Sequence, residues 1–378
     1  MAALRRGGIG VAVLVVAIVA KLLITGGHTA RAPAPPPAPA PAALQLGANV
    51  GRLFNGDLYP ASVVDAQLSA LRATGATLAR SDAPWEASEP RPPSGGTHHY
   101  DWRFDDGVAT ALARHQLRWL PVIDYSAPWA RSVPGQDHSP PTSPADYAAY
   151  AGALAARYGP GGSFWRSHPG LPLEPVDVYE IWNEPDSGLF WSPTPDPAAY
   201  AALYLRAREA IKAAQPGAQV IVGGLAHAAQ FIPALLAAAP GFGGQLDGVA
   251  IHPYGPNPQA VLAGVRGARA ALDAAGLRGV PLYVTEFGWT TAPPGALDYL
   301  PQRLRPTYIE QAMAALGHLD CGIRAILLYA WITPQRDPSN SNDWFGINPP
   351  AGGGSADVRA FTQGLHAAAA PARSISCG

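Results

Sequence analysis

The sequence predicts an α/β protein, a (β/α)₈ TIM barrel, and three observations predict it. From residue 44 onward, eight short apolar or β-branched runs alternate with Ala/Leu-rich stretches of helical character. Near-continuous apolar strands, each followed by a helix, indicate a parallel sheet buried on both faces, and eight such units close it into a barrel. No glycine-rich phosphate loop follows the first strand, which argues against the open doubly wound alternative.

The strand candidates are residues 44–50, 76–82, 117–125, 176–184, 219–224, 246–254, 281–289 and 323–332. Between them, residues 60–75 place Val63, Val64, Leu68 and Leu71 at the spacing of one helical face. Residues 144–158 start with Ser143 as a candidate N-cap and Pro144 at the first helical position. Residues 197–214, 258–275 and 304–319 read as helices in the same way, and Gly75, Gly159, Gly217, Gly276 and Gly322 lie near helix ends. Residues 83–116 and 126–143 are rich in Pro, Gly, Ser and His and read as long insertions forming the rims of a cleft.

Ahead of the barrel, a short basic end (residues 1–8, with Arg5 and Arg6) precedes an apolar segment over 9–28 interrupted by Lys21. Its length suits a membrane anchor with the basic end in the cytoplasm. A cleaved signal peptide is the rival, because Ala30-Arg31-Ala32 has a small-x-small pattern. Either way the catalytic part is expected outside the cytoplasm, and an uncleaved segment would make the lipid bilayer a partner. Residues 29–43 form a Pro/Ala spacer of polyproline II type, 44–370 the barrel and 371–378 a C-terminal tail. Cys321 and Cys377 are either one disulfide or two free thiols. The formal net charge of -1 supplies no long-range attraction for nucleic acid, and none is expected as a partner.

Polar residues gather where the predicted strands end. Asn49, Arg80, Asp82, Asp124, Asn183, Glu184, His252, Tyr254 and Glu286 all fall at or just beyond a C-terminal strand end, and Trp331 takes that place on the eighth. Active sites of such barrels are built at that end from several strands. Glu184, in the Trp182-Asn183-Glu184-Pro185 run after strand four, and Glu286, in Thr285-Glu286-Phe287-Gly288 at the end of strand seven, are two carboxylates projecting into one bowl. Glycosidic hydrolysis needs such a pair, one to protonate the leaving oxygen and one to attack or stabilise the anomeric carbon. Asp124 is the nearest competing carboxylate, and Glu180 is a weaker one because it lies further back on its strand. The strand-end His and Asp residues form no obvious closed ligand set, so neither a metal nor another cofactor is expected.

These elements resemble the large clan of retaining (β/α)₈ glycosidases, on Arg80, Asn183-Glu184, His252-Pro253-Tyr254, Glu286 and Trp331 in that order along the chain, over residues 44 to about 348. The chain looks most like the family 39 group, with cellulase-like family 5 as the alternative. The β-sandwich common among β-xylosidase and iduronidase members has no counterpart segment here, which turns the expectation towards an oligosaccharide or polysaccharide substrate. The resemblance implies Glu286 as nucleophile, Glu184 as acid/base, and Arg80 and Tyr254 as supports for Glu286. It further implies Asn183 on the sugar 2-hydroxyl, His252 as an orienting group, and Trp331 as the surface beneath the sugar. Asn49 and Asp124 join the set as strand-end substrate contacts. Trp85, Trp129, Trp191, Trp289 and Trp344 are rim candidates for stacking on further sugar units. A transglycosylase on the same barrel, or a silent carbohydrate-binding barrel, are the alternative functions.

Overall fold

The computed structural model describes residues 43–292 and 298–378. The apolar N-terminal segment and residues 29–42 of the spacer lie outside the described residues; among the described ones, no helix is long and apolar enough to cross a membrane.

Eight parallel strands close in sequence order: β1 (Gln45–Asn49), β2 (Leu78–Pro84), β3 (Arg118–Asp124), β4 (Val178–Asn183), β5 (Gln219–Leu225), β6 (Gly248–Ile251), β7 (Leu282–Val284) and β8 (Ile323–Leu328). The barrel helices are α1 (Ala61–Ala73), α2 (Arg103–Arg114), α3 (Pro144–Tyr158), α4 (Pro197–Ala214), α5 (Ala228–Ala238), α6 (Pro258–Ala274), α7 (Arg305–Gly317) and α8 (Ala356–Ala369). Local chemistry accounts for several starts. Ser143 accepts from the Asp146 amide, Asp196 from those of Ala198 and Ala199, and Asn257 from that of Ala260, each with proline next in line.

Residues 83–116 are not an insertion throughout. Their second half is α2, whose apolar face (Val108, Ala109, Leu112) is short and interrupted by Asp105, so its period is hard to see in sequence. Asp105 is fully buried and bonded to Ser88 Oγ at 2.5 Å. Burial pushes its carboxyl up to about 7, against the opposing pull of the Ser88 bond. The folded state therefore holds this proton more tightly than the unfolded chain, and stability falls as pH rises between about 4 and 7. Asp105→Asn is expected to stabilise the fold by on the order of 2 to 4 kcal/mol at pH 8 and by almost nothing at pH 4, as thermal melts at the two pH values will show.

Inside the barrel, Leu78, Leu120, Ile221, Ala250, Tyr283, Ala325 and Leu327 fill the lower layers, separate from the larger core between strands and helices. The cysteines are bonded to each other, with Cα atoms 5.1 Å apart, and a bridge between Leu319 and Ile375 runs beside them. This ties the tail to the end of α7. Replacing both cysteines by serine is expected to lower stability by about 4 kcal/mol in denaturant titration, the entropy of closing a loop of that length.

Candidate active site

Alternation along the strands sends every second side chain into the barrel. On β2 this carries Leu78, then Arg80, then Asp82 up the inner face; on β4 it carries Val178 and Glu180. An arginine and a glutamate deep inside a barrel must satisfy each other, since an unpaired buried charge is costly. Arg80 Nε donates to Glu180 Oε2 at 2.8 Å and Nη2 to Glu180 Oε1 at 3.0 Å. Its remaining bonds go to Asn183 Oδ1 at 2.9 Å, Asn49 Oδ1 at 2.8 Å and Glu286 Oε1 at 2.5 Å. Glu180 Oε1 also accepts from the Gly224 amide at 2.8 Å. Glu180, in sequence only a weaker competitor for the catalytic role, is thus the buried anchor of the site; an acid in the middle of an otherwise buried strand is the signal for that part.

Glu286 accepts from Arg80 on one oxygen and from the Tyr254 hydroxyl at 2.7 Å on the other. Burial alone would raise its carboxyl, but the charges of His252 and Arg80 and the bonds from Tyr254 and Arg80 together hold it below its ordinary value. Tyr254 stays protonated, because burial and the adjacent Glu286 charge push its hydroxyl far up. The site therefore stabilises an ionised Glu286.

Glu184 stands on a turn that the sequence does not reveal. Trp182 and Glu184 both have positive φ, 68° and 44°, a region unfavourable for such residues, held here by surrounding structure. The Trp182 ring is buried and its Nε1 donates to the Phe190 carbonyl at 2.7 Å, while the Glu184 amide donates to the Gly224 carbonyl at 3.1 Å. His252, fully buried, lies between the two acids: Nδ1 is 2.8 Å from Glu184 Oε1 and 3.7 Å from Glu286 Oε2, and Nε2 is 3.1 Å from Thr285 Oγ1. Burial opposes its charge, yet Glu286 and Glu184 outweigh it and raise its pKa. Gly224 makes this possible, for a Cβ there would lie 1.9 Å from the imidazole. An oxygen of Glu184, a nitrogen of His252 and an oxygen of Glu286 all lie within 4.8 Å of one another. The same trio has the spacing of a cation site, a compactness not foreseen in the sequence. Arg80, bonded directly to Glu286, puts a positive charge beside that spot and opposes a cation there.

Asn49, Arg80, Asn183, Glu184, His252, Tyr254 and Glu286 line one open cavity of about 940 Å³ at the C-terminal mouth of the barrel. Four expected contacts do not. Asp124 is buried outside the lining, with Oδ2 lacking a hydrogen-bond partner among the described residues; burial, then the neighbouring Asp82 charge, pushes its carboxyl well up. Trp129 instead holds the 83–102 insertion, with its Nε1 on the Glu89 carbonyl and its ring edge-on to Trp85. Trp289 is buried against Phe287 and Tyr308 and donates to the Gly255 carbonyl. Trp331 is buried against Phe361 of α8, so it is not the surface beneath a sugar. The β8 ladder ends at Leu328, so strand alternation no longer governs where Trp331 points. Tyr329 lines the cavity in its stead, with Phe345 nearby. Among the described residues no tryptophan lines the cavity; its aromatic walls are Tyr125, Phe190, Tyr254, Tyr329 and Phe345. Asp82 and Arg52 also line it.

No family model matches the sequence, and a comparison with curated proteins returned no relative. Solved structures do match. A monomeric β-xylosidase from Caulobacter crescentus superposes with a TM-score of 0.64 at 22% identity, over 85% of this chain and 67% of that one. A family 39 glycoside hydrolase from Bacteroides cellulosilyticus gives 0.64 at 19% identity, over 86% and 64%. The structure of two fungal β-1,4-galactanases gives 0.56 at 18% identity, over 85% of this chain and all of that one. The chain thus spans about two thirds of the length of the xylosidase and family 39 neighbours. It shares the (β/α)₈ barrel fold of family 39 and family 5 glycoside hydrolases.

Proposed function

We propose that this protein is a retaining glycoside hydrolase acting on an oligosaccharide or polysaccharide. The observation that carries the reading is the facing pair: Glu286 bonded by Arg80 and Tyr254, with an oxygen of Glu184 within 4.8 Å of it. Retaining enzymes hold their two carboxyls about 5–5.5 Å apart, whereas inverting ones leave about 6.5–9.5 Å for an intervening water. In the first step Glu286 attacks the anomeric carbon while Glu184 gives its proton to the departing oxygen. In the second, Glu184 takes a proton from water, which displaces Glu286 from the glycosyl ester. Asn183, fixed through Oδ1 by Arg80 and bonded also to the Tyr125 side chain, turns its amide donor edge to the sugar 2-hydroxyl. The similarity to glycoside hydrolases supports the substrate class, and the Cys321–Cys377 bond supports an oxidising, extracytoplasmic location.

A panel of aryl xylosides, glucosides, galactosides and mannosides tests the reading directly. On whichever sugar turns over, Glu184→Ala is expected to lose about 10²–10⁴-fold with a 4-nitrophenyl leaving group and much less with 2,4-dinitrophenyl, which departs without a proton. Proton NMR of the first-formed product is expected to show the anomeric configuration of the substrate; the opposite configuration would reject the double displacement.

A further inference from the structure

The cavity wall that follows β4 carries a feature that the hydrolysis does not use. Leu189, just beyond Glu184 in the chain, is 75% exposed and lies on the cavity lining. Its neighbours hold it there. The Leu189 amide donates to Ser187 Oγ, the amides of Phe190 and Trp191 donate to the Ser187 carbonyl, and His138 Nδ1 donates to the Leu189 carbonyl at 2.6 Å. The Phe190 carbonyl is fixed by Trp182, as described above. A backbone tied at this many points keeps an apolar side chain in water, where it is least favoured. Beside it, the Phe190 ring lies nearly parallel to Tyr125, 12° apart at 6.4 Å. The His138 ring sits 4.3 Å from Tyr125 and 5.2 Å from Phe190. All four side chains line the cavity that holds Glu184.

We infer that Leu189, Phe190, Tyr125 and His138 form the binding surface for the leaving group, and that this leaving group is itself a sugar ring presenting an apolar C–H face. The inference rests on the glycosidase reading and adds to it the residues that receive the departing sugar. Direction follows from the roles of the two acids. Glu286 must reach the anomeric carbon and Glu184 the leaving oxygen, so the wall built by the loop after Glu184 receives the departing unit. The wall on the side of β8, β1 and β2 offers Arg52, Asp82 and Tyr329, polar groups suited to the hydroxyls of the sugar that is transferred.

The test uses the sugar identified by the aryl-glycoside panel and compares its glycosyl fluoride with its 1,4-linked disaccharide. Fluoride is too small to reach the surface; the second ring of the disaccharide is not. In Leu189→Ser and Phe190→Ala, kcat/KM for the disaccharide is expected to fall on the order of ten-fold further than kcat/KM for the fluoride, chiefly through KM. Leu189→Ser alters only an exposed side chain, so a folding defect does not obscure it. Equal losses on both substrates, or no loss on the disaccharide, would overturn the inference. A wild-type protein inactive on every sugar of the panel would overturn the glycosidase reading instead.

Discussion

Glu286→Ala is expected to lower turnover by on the order of 10⁴-fold or more, and added azide to restore it with a glycosyl azide of inverted anomeric configuration. The reasoning is geometric. Removing the carboxylate leaves a small anion-sized gap facing the anomeric carbon, flanked by Arg80 and Tyr254, which had both donated to Glu286. Azide entering that gap attacks from the face the carboxylate used, while Glu184 still protonates the leaving oxygen. Only one displacement then occurs, so the configuration inverts once. Product analysis by NMR decides the matter: no rescue, or a rescued product of retained configuration, would remove Glu286 from the nucleophile's role.

Arg80→Met is expected to have the second-largest effect, on stability as well as catalysis. Arg80 spends its donors on Glu180, Asn183, Asn49 and Glu286 at once, and both of its carboxylate partners are buried. Methionine fills similar space but leaves those acids without their cation, and breaking a buried pair costs about 3–5 kcal/mol. Denaturant titration will read that loss. The Arg80 charge and bond are also among the influences that hold the Glu286 carboxyl low. Their removal lets burial raise it, so the acidic limb of the kcat/KM profile is expected to move to higher pH. Arg80→Lys restores the charge but not the forked donor set, and is expected to recover part of the pH shift without recovering full activity. An unmoved acidic limb in Arg80→Met would show that Arg80 does not tune Glu286.

Much of the site was legible because a parallel barrel presents its strand ends in one place. His252 and Glu286 are each one or two residues past a strand end and Arg80 lies within β2, so the alternation of the strand still dictates their direction. The reading failed with distance from that ladder. Trp289 and Trp331 lie several residues beyond β7 and β8, and the packing of loops against α7 and α8 turned both into the core. Asp124 does lie at a strand end, but it is buried and stays out of the cavity lining. Glu180 was undervalued for the opposite reason: it lies well inside β4, and only its union with Arg80 from β2 explains its presence. Among the helices, α3, α4 and α6 are marked by Ser-Pro, Asp-Pro and Asn-Pro starts, whereas α2 and α5 have no side-chain N-cap and were missed; α8 was missed too, although Ser355 caps it.

By itself the sequence determined the number and order of the strands, the barrel they close, and the two acids at the ends of β4 and β7. Those follow from periodicity and position, which are local properties of the chain. The tertiary structure alone decided which aromatic rings face the cavity, that Glu180 rather than Asp124 is wired into the site, and that His252 bridges Glu184 and Glu286. Those depend on side chains from strands remote in sequence meeting within hydrogen-bond distance, and on the left-handed turn at Trp182 and Glu184 that no local pattern encodes.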